Sequence, residues 1–509
     1  MPLARVYTAS LLGVDARVVS VEVDISHGLP GWHMVGLPEQ VVKESKDRVQ
    51  AALRNSGYAV LQQKITVNFA PADYKKRGTG FDLPIAIGLL AASGFLERER
   101  VSRYMFVAEL SLTGSLLPVN GVLAMSVAAK AKGLDGIVLP RLNAREARLV
   151  RGIDVVGCDL LSEAVIFMRE GIRPEFSDPP VCKKVSERRY DLADVKGQIV
   201  AKRALEIAAA GNHNILMFGP PGTGKTMLAE RIPSILPPLT EEESLETTKI
   251  YSALGMLDFG SPLMTERPFR SPHHSSSAAG LFGGGSGSPS IGEISLAHNG
   301  VLFLDELPEF RRDVIEMLRQ PLEHGYVHIT RAGYSVKYPA RFLMGAAMNP
   351  CRCGYLGHPV RACSCSVAEI QAYRKRISGP ILDRIDLRIE VPALSPDELM
   401  EAKPSIDSDT VRRKVVAARK RQGARYKKTS IYTNAELTPR MIREFCPLDA
   451  ESKRLIMLNA ETRGYSARAI DRIIRIARTI ADLEGEEKIG LPHVAEAIQH
   501  HRLDKLEEF

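Results

Sequence analysis

Ile215-Leu-Met-Phe218-Gly219-Pro220-Pro221-Gly222-Thr223-Gly224-Lys225-Thr226 is the stretch on which the fold turns. Four apolar residues read as a short buried strand, three glycines and two prolines as a loop, and Met227-Leu-Ala as the start of a helix. Strand, glycine-rich loop and helix in that order are what a phosphate cradle needs. Glycines allow backbone N–H groups to turn inward, and the following helix presents its positive end to an anion. The spacing predicts that Lys225 reaches the β and γ phosphates of a nucleotide and that Thr226 ligates Mg²⁺.

Outward from this loop the pattern repeats. Val301-Leu-Phe-Leu304 ends in Asp305-Glu306, and adjacent carboxylates at the end of a buried strand are costly unless they meet a cation or water. Asp305 is expected on the Mg²⁺ and Glu306 as the base for an attacking water. A third apolar run, Phe342 to Ala347, leads into Met348-Asn349-Pro350. In a parallel sheet the ligand lies at the carboxyl ends of the strands, which puts Asn349 near the γ-phosphate. Short apolar strands separated by helices predict an α/β core with helices on both faces of a parallel sheet, over 190–395. Within it, Ser271 to Gly292 is Gly/Ser-rich and reads as loop.

The first 172 residues read as a separate α+β domain. Val19, Val21, Val23 and Ile25 alternate with polar neighbours, as do Ile65, Val67 and Phe69, and Val41 to Leu53 has helical spacing closed by Asn55 and Gly57. Residues 173–189, with three prolines and no periodicity, read as a linker. Residues 396–509 are helical throughout in pattern.

Composition bounds the remainder. At 509 residues, three or so domains are expected; 45% hydrophobic and 25% charged content fits a globular chain and excludes fibrous and disordered classes. The longest apolar stretch, Leu83 to Leu96, is interrupted by proline and shorter than the roughly 20 residues of a membrane-spanning helix. With no secretory pattern at the N-terminus, the expected location is cytoplasmic, without membrane association. Sixty-eight basic against 60 acidic residues leave a charge of +8, and Val411 to Lys428 alone holds nine basic residues and no acid. A polyanionic partner would explain that excess; so would a solvated helix face. Cys351, Cys353, Cys363 and Cys365 supply four thiolates, the complement of a closed structural Zn²⁺ site, although C-x-C pairs are tighter than usual and reduced thiols remain the alternative.

Taken together, Gly219–Thr226, Asp305-Glu306, Asn349, Ile381-Leu-Asp-Arg384-Ile-Asp-Leu387 and Ser466-Ala-Arg468 resemble the Walker motifs, sensor 1, arginine finger and sensor 2 of AAA+ ATPases. Over its whole length, including the cysteine cluster and Gly36-Leu-Pro-Glu-Gln-Val-Val-Lys-Glu-Ser45, the chain resembles the ComM/YifB family of magnesium-chelatase-like proteins. The resemblance implies an AAA+ P-loop core, a C-terminal helical lid, ATP and Mg²⁺ as cofactors, a homo-hexamer, and a DNA branch-migration helicase of natural transformation working with recombination proteins. It also implies that Arg384 serves the neighbouring subunit's nucleotide and that Arg468 is the sensor of the helical domain; a surface ion pair with Asp383 or Asp386 is the alternative for Arg384. Leu110 to Gly121 and Ala128 to Pro140 resemble the proteolytic domain of Lon, a ribosomal S5 domain 2-like fold. A protease dyad is not expected, because Lys76-Arg-Gly-Thr-Gly80-Phe-Asp82 offers no serine and Val122-Leu123 no lysine. His328 to Tyr334 resembles the pre-sensor-1 hairpin of MCM helicases, which implies DNA contacts from Arg331, with Lys337 on its flank. Three readings stay open: a DNA motor, the ATPase subunit of a metal-chelatase complex, and a DNA-binding scaffold with weak ATPase activity.

Overall fold

The computed structural model describes residues 3–59, 63–175, 190–285, 290–331, 334–358, 360–395, 398 and 406–501. Most of the expected linker, 176–189, lies outside them, as do the hairpin turn 332–333 and the start of the C-terminal region, 399–405.

A seven-stranded mixed sheet is built from the first 158 residues, in the order Gly31–Val35, Lys64–Ala70, Asp15–Ser26, Leu3–Leu12, Tyr104–Phe106, Gly136–Pro140, Asp154–Cys158. Alternation decides which side is covered. Val19, Val21, Val23 and Ile25 all point into one core, where the fully buried helix Asp82–Ala92 crosses them. The helix expected over Val41 to Leu53 is interrupted at Glu44 and becomes Gln40–Lys43 and Ser45–Asn55.

The second sheet is parallel and has the order Phe269–Arg270, Val301–Leu304, Leu343–Met348, Ile215–Phe218, Leu387–Glu390. Its strands divide their side chains between two cores. Ile215, Met217, Val301, Phe303, Leu343 and Leu387 face the helix Ile199–Gly211 and the C-terminal helices. Leu216, Phe218, Leu302, Leu304, Met344 and Met348 face Leu281, Phe282, Val314 and Ile315 on the other side. Both faces are covered, which is why the strands read as continuous apolar runs. Three details correct the sequence reading. The third strand starts at Leu343, not Phe342; Leu387–Glu390, read only as part of an arginine motif, is an edge strand; and the expected loop Ser271 to Gly292 contains a helix, Ala278–Phe282, and a two-residue pairing of Gly283–Gly284 with Ser290–Ile291. Elements of two to five residues are too short for periodicity to reveal.

The C-terminal helices are Ser408–Arg425, Pro439–Phe445, Ala450–Arg463, Ala467–Glu484 and Leu491–His501. Buried polar links tie them to the core and to one another: His213 joins Asp386 (3.1 Å) and Thr479 (2.8 Å), while the Asp482 carboxylate is held by Arg425, Arg478 and Asn434 within the helical region. No described helix is long and apolar enough to cross a membrane. The basic segment Val411 to Lys428 is not a free stripe. Arg419 donates to the Ala209 carbonyl, Arg421 to the Asp482 carbonyl and Arg425 to the Asp482 carboxylate, so these three of its nine basic side chains bond within the fold.

Candidate functional site

Three neighbouring strands end together. After Phe218, Gly222 (φ +78°) and Gly224 (φ +88°) turn the chain through left-handed conformations that side chains rarely adopt. Gly219 has no room for a side chain: a Cβ there would lie 2.1 Å from the Val391 carbonyl oxygen. The Lys225 ammonium is buried in the loop, donating to the carbonyls of Gly219 and Pro220 (both 2.8 Å) and to Asn349 Oδ1 at 3.3 Å. Burial pushes its pKa down, against the opposing pull of Asp305 and Glu306. Thr226 donates from its hydroxyl to Asp305 Oδ2 at 2.7 Å, so the two oxygens expected around Mg²⁺ are already adjacent. Thr223 is bonded back to Pro220 within the loop, and Pro221 is exposed. The cradle, Lys225, Thr226, Asp305 and Asn349 are therefore one constellation, and its donor set suits a magnesium nucleotide: an ammonium and loop amides for phosphate, a hydroxyl and carboxylate for the ion.

Glu306 follows Asp305 with a left-handed backbone (φ +52°), its N–H bonded to Asp305 Oδ1. Its carboxylate is half exposed and lies 3.4 Å from His274 Nδ1, a neighbour the sequence reading did not single out.

Arg384 and Arg468 are elsewhere. Neither makes a polar contact with the phosphate loop among the described residues. Arg384 pairs with Glu323 and donates to the Pro380 carbonyl; the suggested partners are otherwise engaged, Asp386 with His213 and Asp383 with Arg472 (3.2 Å) and, at 4.0 Å, Arg468. Burial, with Arg319 and Arg468 nearby, holds the Arg384 pKa below its usual value. Arg319, Arg384 and Arg468 thus lie close together among the carboxylates of Glu316, Glu323 and Asp383, a charged cluster that sequence spacing, separating the arginines by up to 149 positions, does not announce.

The cysteines meet. Sγ of Cys351, Cys353 and Cys363 lie 3.3 to 3.6 Å apart, and all four sulfurs fall within 4.8 Å of one another. A tetrahedral ZnS₄ centre with ~2.3 Å bonds has sulfurs about 3.8 Å apart, so the cluster fits that ion. Burial opposes ionisation, but amide donors at Tyr355 and Ser364 and the neighbouring thiols bring Cys353 down to about 5. The loop also leans on the nucleotide site: a Cβ on Gly354 would sit 3.0 Å from Pro221 Cδ and 4.0 Å from Asn349 Cγ.

The predicted hairpin is present as Tyr326–Arg331 paired with Tyr334–Pro339. Only Ala340, Arg341 and Phe342 separate it from the strand that carries Asn349. The Arg331 side chain lies outside the described residues. Lys337 is exposed, its ammonium 3.7 Å from the centre of the Tyr326 ring. The root of the hairpin is buttressed by the N-terminal sheet: Val336 and Tyr338 share a core with Val14, Ile250 and Tyr251, and Lys249 pairs with Asp15. Gly13, in the turn between the first two strands, fits there because a Cβ would lie 2.4 Å from Val336 Cγ1.

Against known families, residues 191–399 match the model described as magnesium chelatase, subunit ChlI; residues 21–143 match subunit ChlI of Mg-chelatase; and residues 405–501 match the ChlI C-terminal model. The chain is 44% identical to the uncharacterised protein YifB of Escherichia coli and to the competence protein ComM of Haemophilus influenzae, alignments that cover 99% of this chain and 98% and 99% of those proteins. A weaker similarity, 29% over 167 residues, relates 31% of the chain to 29% of Lon protease 2 of Bacillus subtilis.

Proposed function

Because the chain belongs to the ComM/YifB family of magnesium-chelatase-like proteins, we propose that it is an ATP-driven DNA motor, a hexameric helicase that promotes branch migration as incoming DNA recombines during natural transformation. The observation that carries this reading is the short link between hairpin and nucleotide site: three residues join Pro339 to the strand whose end presents Asn349 to Lys225. Chemistry at the γ-phosphate and a displacement of the hairpin are then one movement.

In this reading Lys225 and the backbone N–H groups of Gly222, Thr223 and Gly224 hold the phosphates, and Thr226 and Asp305 would hold a Mg²⁺ ion, which would supply positive charge against the phosphate oxygens. Glu306 accepts the proton of the attacking water, and Asn349 orients it. Arg384 serves the neighbouring subunit in the ring. Its engagement with Glu323 is compatible with that role, because a phosphate arriving from outside would compete with that carboxylate for the Arg384 guanidinium, with Arg319 and Arg468 nearby. Arg331 and Lys337 contact the DNA backbone. The cytoplasm is the compartment in which ATP and recombining DNA meet.

The four cysteines hold a structural Zn²⁺ that pins the loop carrying Gly354 against Pro221 and Asn349. Purified protein is expected to contain about one zinc per chain, and Cys353→Ser is expected to lower thermal stability before turnover suffers. Metal analysis of reduced protein that finds no zinc would remove this assignment.

All three matching family models carry a chelatase name, so a metal-chelatase ATPase subunit is the second reading; the near-complete alignment with ComM favours the motor. ATP turnover measured with and without branched DNA separates them. Stimulation by DNA supports the motor, indifference supports the chelatase subunit, and DNA binding without turnover leaves a scaffold.

A further inference from the structure

We propose that the turn at Gly13 and Val14 positions the DNA hairpin as a fulcrum, which makes the N-terminal domain a working part of the motor. The inference rests on the motor reading and supplies its pivot.

The turn closes the first two strands, and all ten residues of the first are paired with the second, from Leu3 opposite Asp24 to Leu12 opposite Asp15. A ladder of that length carries the turn stiffly. Gly13 (φ +70°) lies against the hairpin so closely that a Cβ would stand 2.4 Å from Val336 Cγ1 and 3.2 Å from Tyr338 Cε1. Val14 is buried with those two residues in one core, together with Ile250, Tyr251 and Leu296. Val336 and Tyr338 belong to the strand that runs from the hairpin tip to the three-residue link before the Asn349 strand. Val336 faces Ile329, two pairs from Arg331 and Tyr334. The turn therefore touches the lever between its tip and its root.

A pivot bears load only on a fixed seat, and a second contact fixes the N-terminal domain to the ATPase core. The Gly121 N–H donates to the Ser252 carbonyl (2.9 Å), while Glu146 accepts from the Ser252 hydroxyl and from the Leu123 N–H (2.8 Å). Gly255 is pressed onto Asn120, whose Oδ1 would be 2.5 Å from a Cβ. Ser252 lies on the helix Glu241–Ala253, which also brings Ile250 and Tyr251 to the fulcrum and Lys249 to Asp15. The segment at Val122-Leu123, where a Lon-like lysine is missing, is thus used as a joint. Close-packed contacts of this kind hold one arrangement and resist gradual deformation. With Val336 held, a shift of the strand at its root tilts the tip instead of sliding the whole hairpin.

The test compares Gly13→Ala, Val336→Ala, the double variant and Val14→Ala with the wild-type full-length chain. Alanine at 13 drives a methyl into Val336; Val336→Ala removes the group it meets. DNA-free ATP turnover and affinity for a non-hydrolysable ATP analogue should stay at wild-type values. Movement of a branch point should slow about ten-fold in Gly13→Ala, within the range by which residues along a coupling network act, and largely return in the double variant. A merely structural role predicts the reverse, since both substitutions cost stability and the double variant would be the worst of the set. Wild-type movement by Gly13→Ala, or a double variant no faster than Gly13→Ala, would overturn the fulcrum. Should Gly13→Ala lose nucleotide affinity, Val14→Ala replaces it, because it removes contact without adding bulk: slowed movement at unchanged DNA-free turnover supports the fulcrum, and wild-type movement overturns it. If the wild-type chain moves no branch point, the motor reading fails and amide hydrogen exchange decides the pivot. Faster exchange in Tyr326–Arg331 and Tyr334–Pro339 of Gly13→Ala, reversed in the double variant while Ile215–Phe218 is unchanged, keeps it; exchange equal to wild type removes it.

Discussion

Glu306→Gln protein should bind ATP as tightly as the unaltered chain and hydrolyse it at least ~100-fold more slowly, the usual cost of losing a general base. The substitution is nearly isosteric. It leaves Asp305 against Thr226 Oγ1 and Lys225 in its loop, so the groups proposed to hold the nucleotide and Mg²⁺ are untouched. Lys225→Ala should fail one step earlier, with no measurable ATP binding, because the ammonium that now lies against the carbonyls of Gly219 and Pro220 is the charge proposed to meet the β and γ phosphates. Nucleotide affinity by fluorescence and phosphate release, measured on both variants, check the pair. Hydrolysis by Glu306→Gln at the wild-type rate would mean that another group accepts the proton.

Arg331→Ala should leave DNA-free turnover and assembly intact and abolish the response to DNA. Arg331 ends the first strand of the hairpin, opposite Tyr334, remote in the pairing from the base that leads to Asn349. Losing the proposed phosphate contact there would remove the grip on DNA without disturbing the groups proposed for hydrolysis. If each chain neutralises one phosphate through Arg331, the slope of log affinity against log salt should become shallower by ~1 per contacting chain. Charge reversal at Lys420, Lys427 and Lys428, exposed residues of the basic segment, should weaken initial binding less than Arg331→Ala weakens strand movement. The inward bonds of Arg419, Arg421 and Arg425 are the reason those arginines are poor probes of an outer DNA surface: changing them perturbs the fold.

What could be read in advance follows from how local the signal is. Gly219 to Thr226 is a contiguous loop whose chemistry and conformation are set by neighbours in sequence, and the strands around it were short but unbroken apolar runs because both faces are buried. The meeting of the four cysteines was legible for the same reason, as they fall within 15 positions. His274 was not. Its position beside Glu306 depends on a two-residue edge strand, Phe269–Arg270, that precedes a segment whose glycines and serines read as loop. The Arg384 surroundings were equally hidden, since Arg319 and Glu323 come from one helix, Arg319–His324, and Arg468 from another, Ala467–Glu484, and packing alone brings them to Arg384. The basic run Val411 to Lys428 misled in the opposite direction. Local charge density says nothing about which arginines turn inward to find Ala209 and Asp482.

Movement of a branch point along a labelled three-strand DNA junction, followed in real time with the wild-type chain, Glu306→Gln and Arg331→Ala side by side, tests most directly whether this protein converts ATP hydrolysis into DNA motion. The wild-type chain should move the branch point only when ATP is hydrolysed, Glu306→Gln should hold the junction without moving it, and Arg331→Ala should spend ATP at its DNA-free rate while the junction stays in place. A wild-type chain that hydrolyses ATP and binds the junction yet leaves the branch point where it was, or an Arg331→Ala chain that moves it as fast as wild type, would contradict the account.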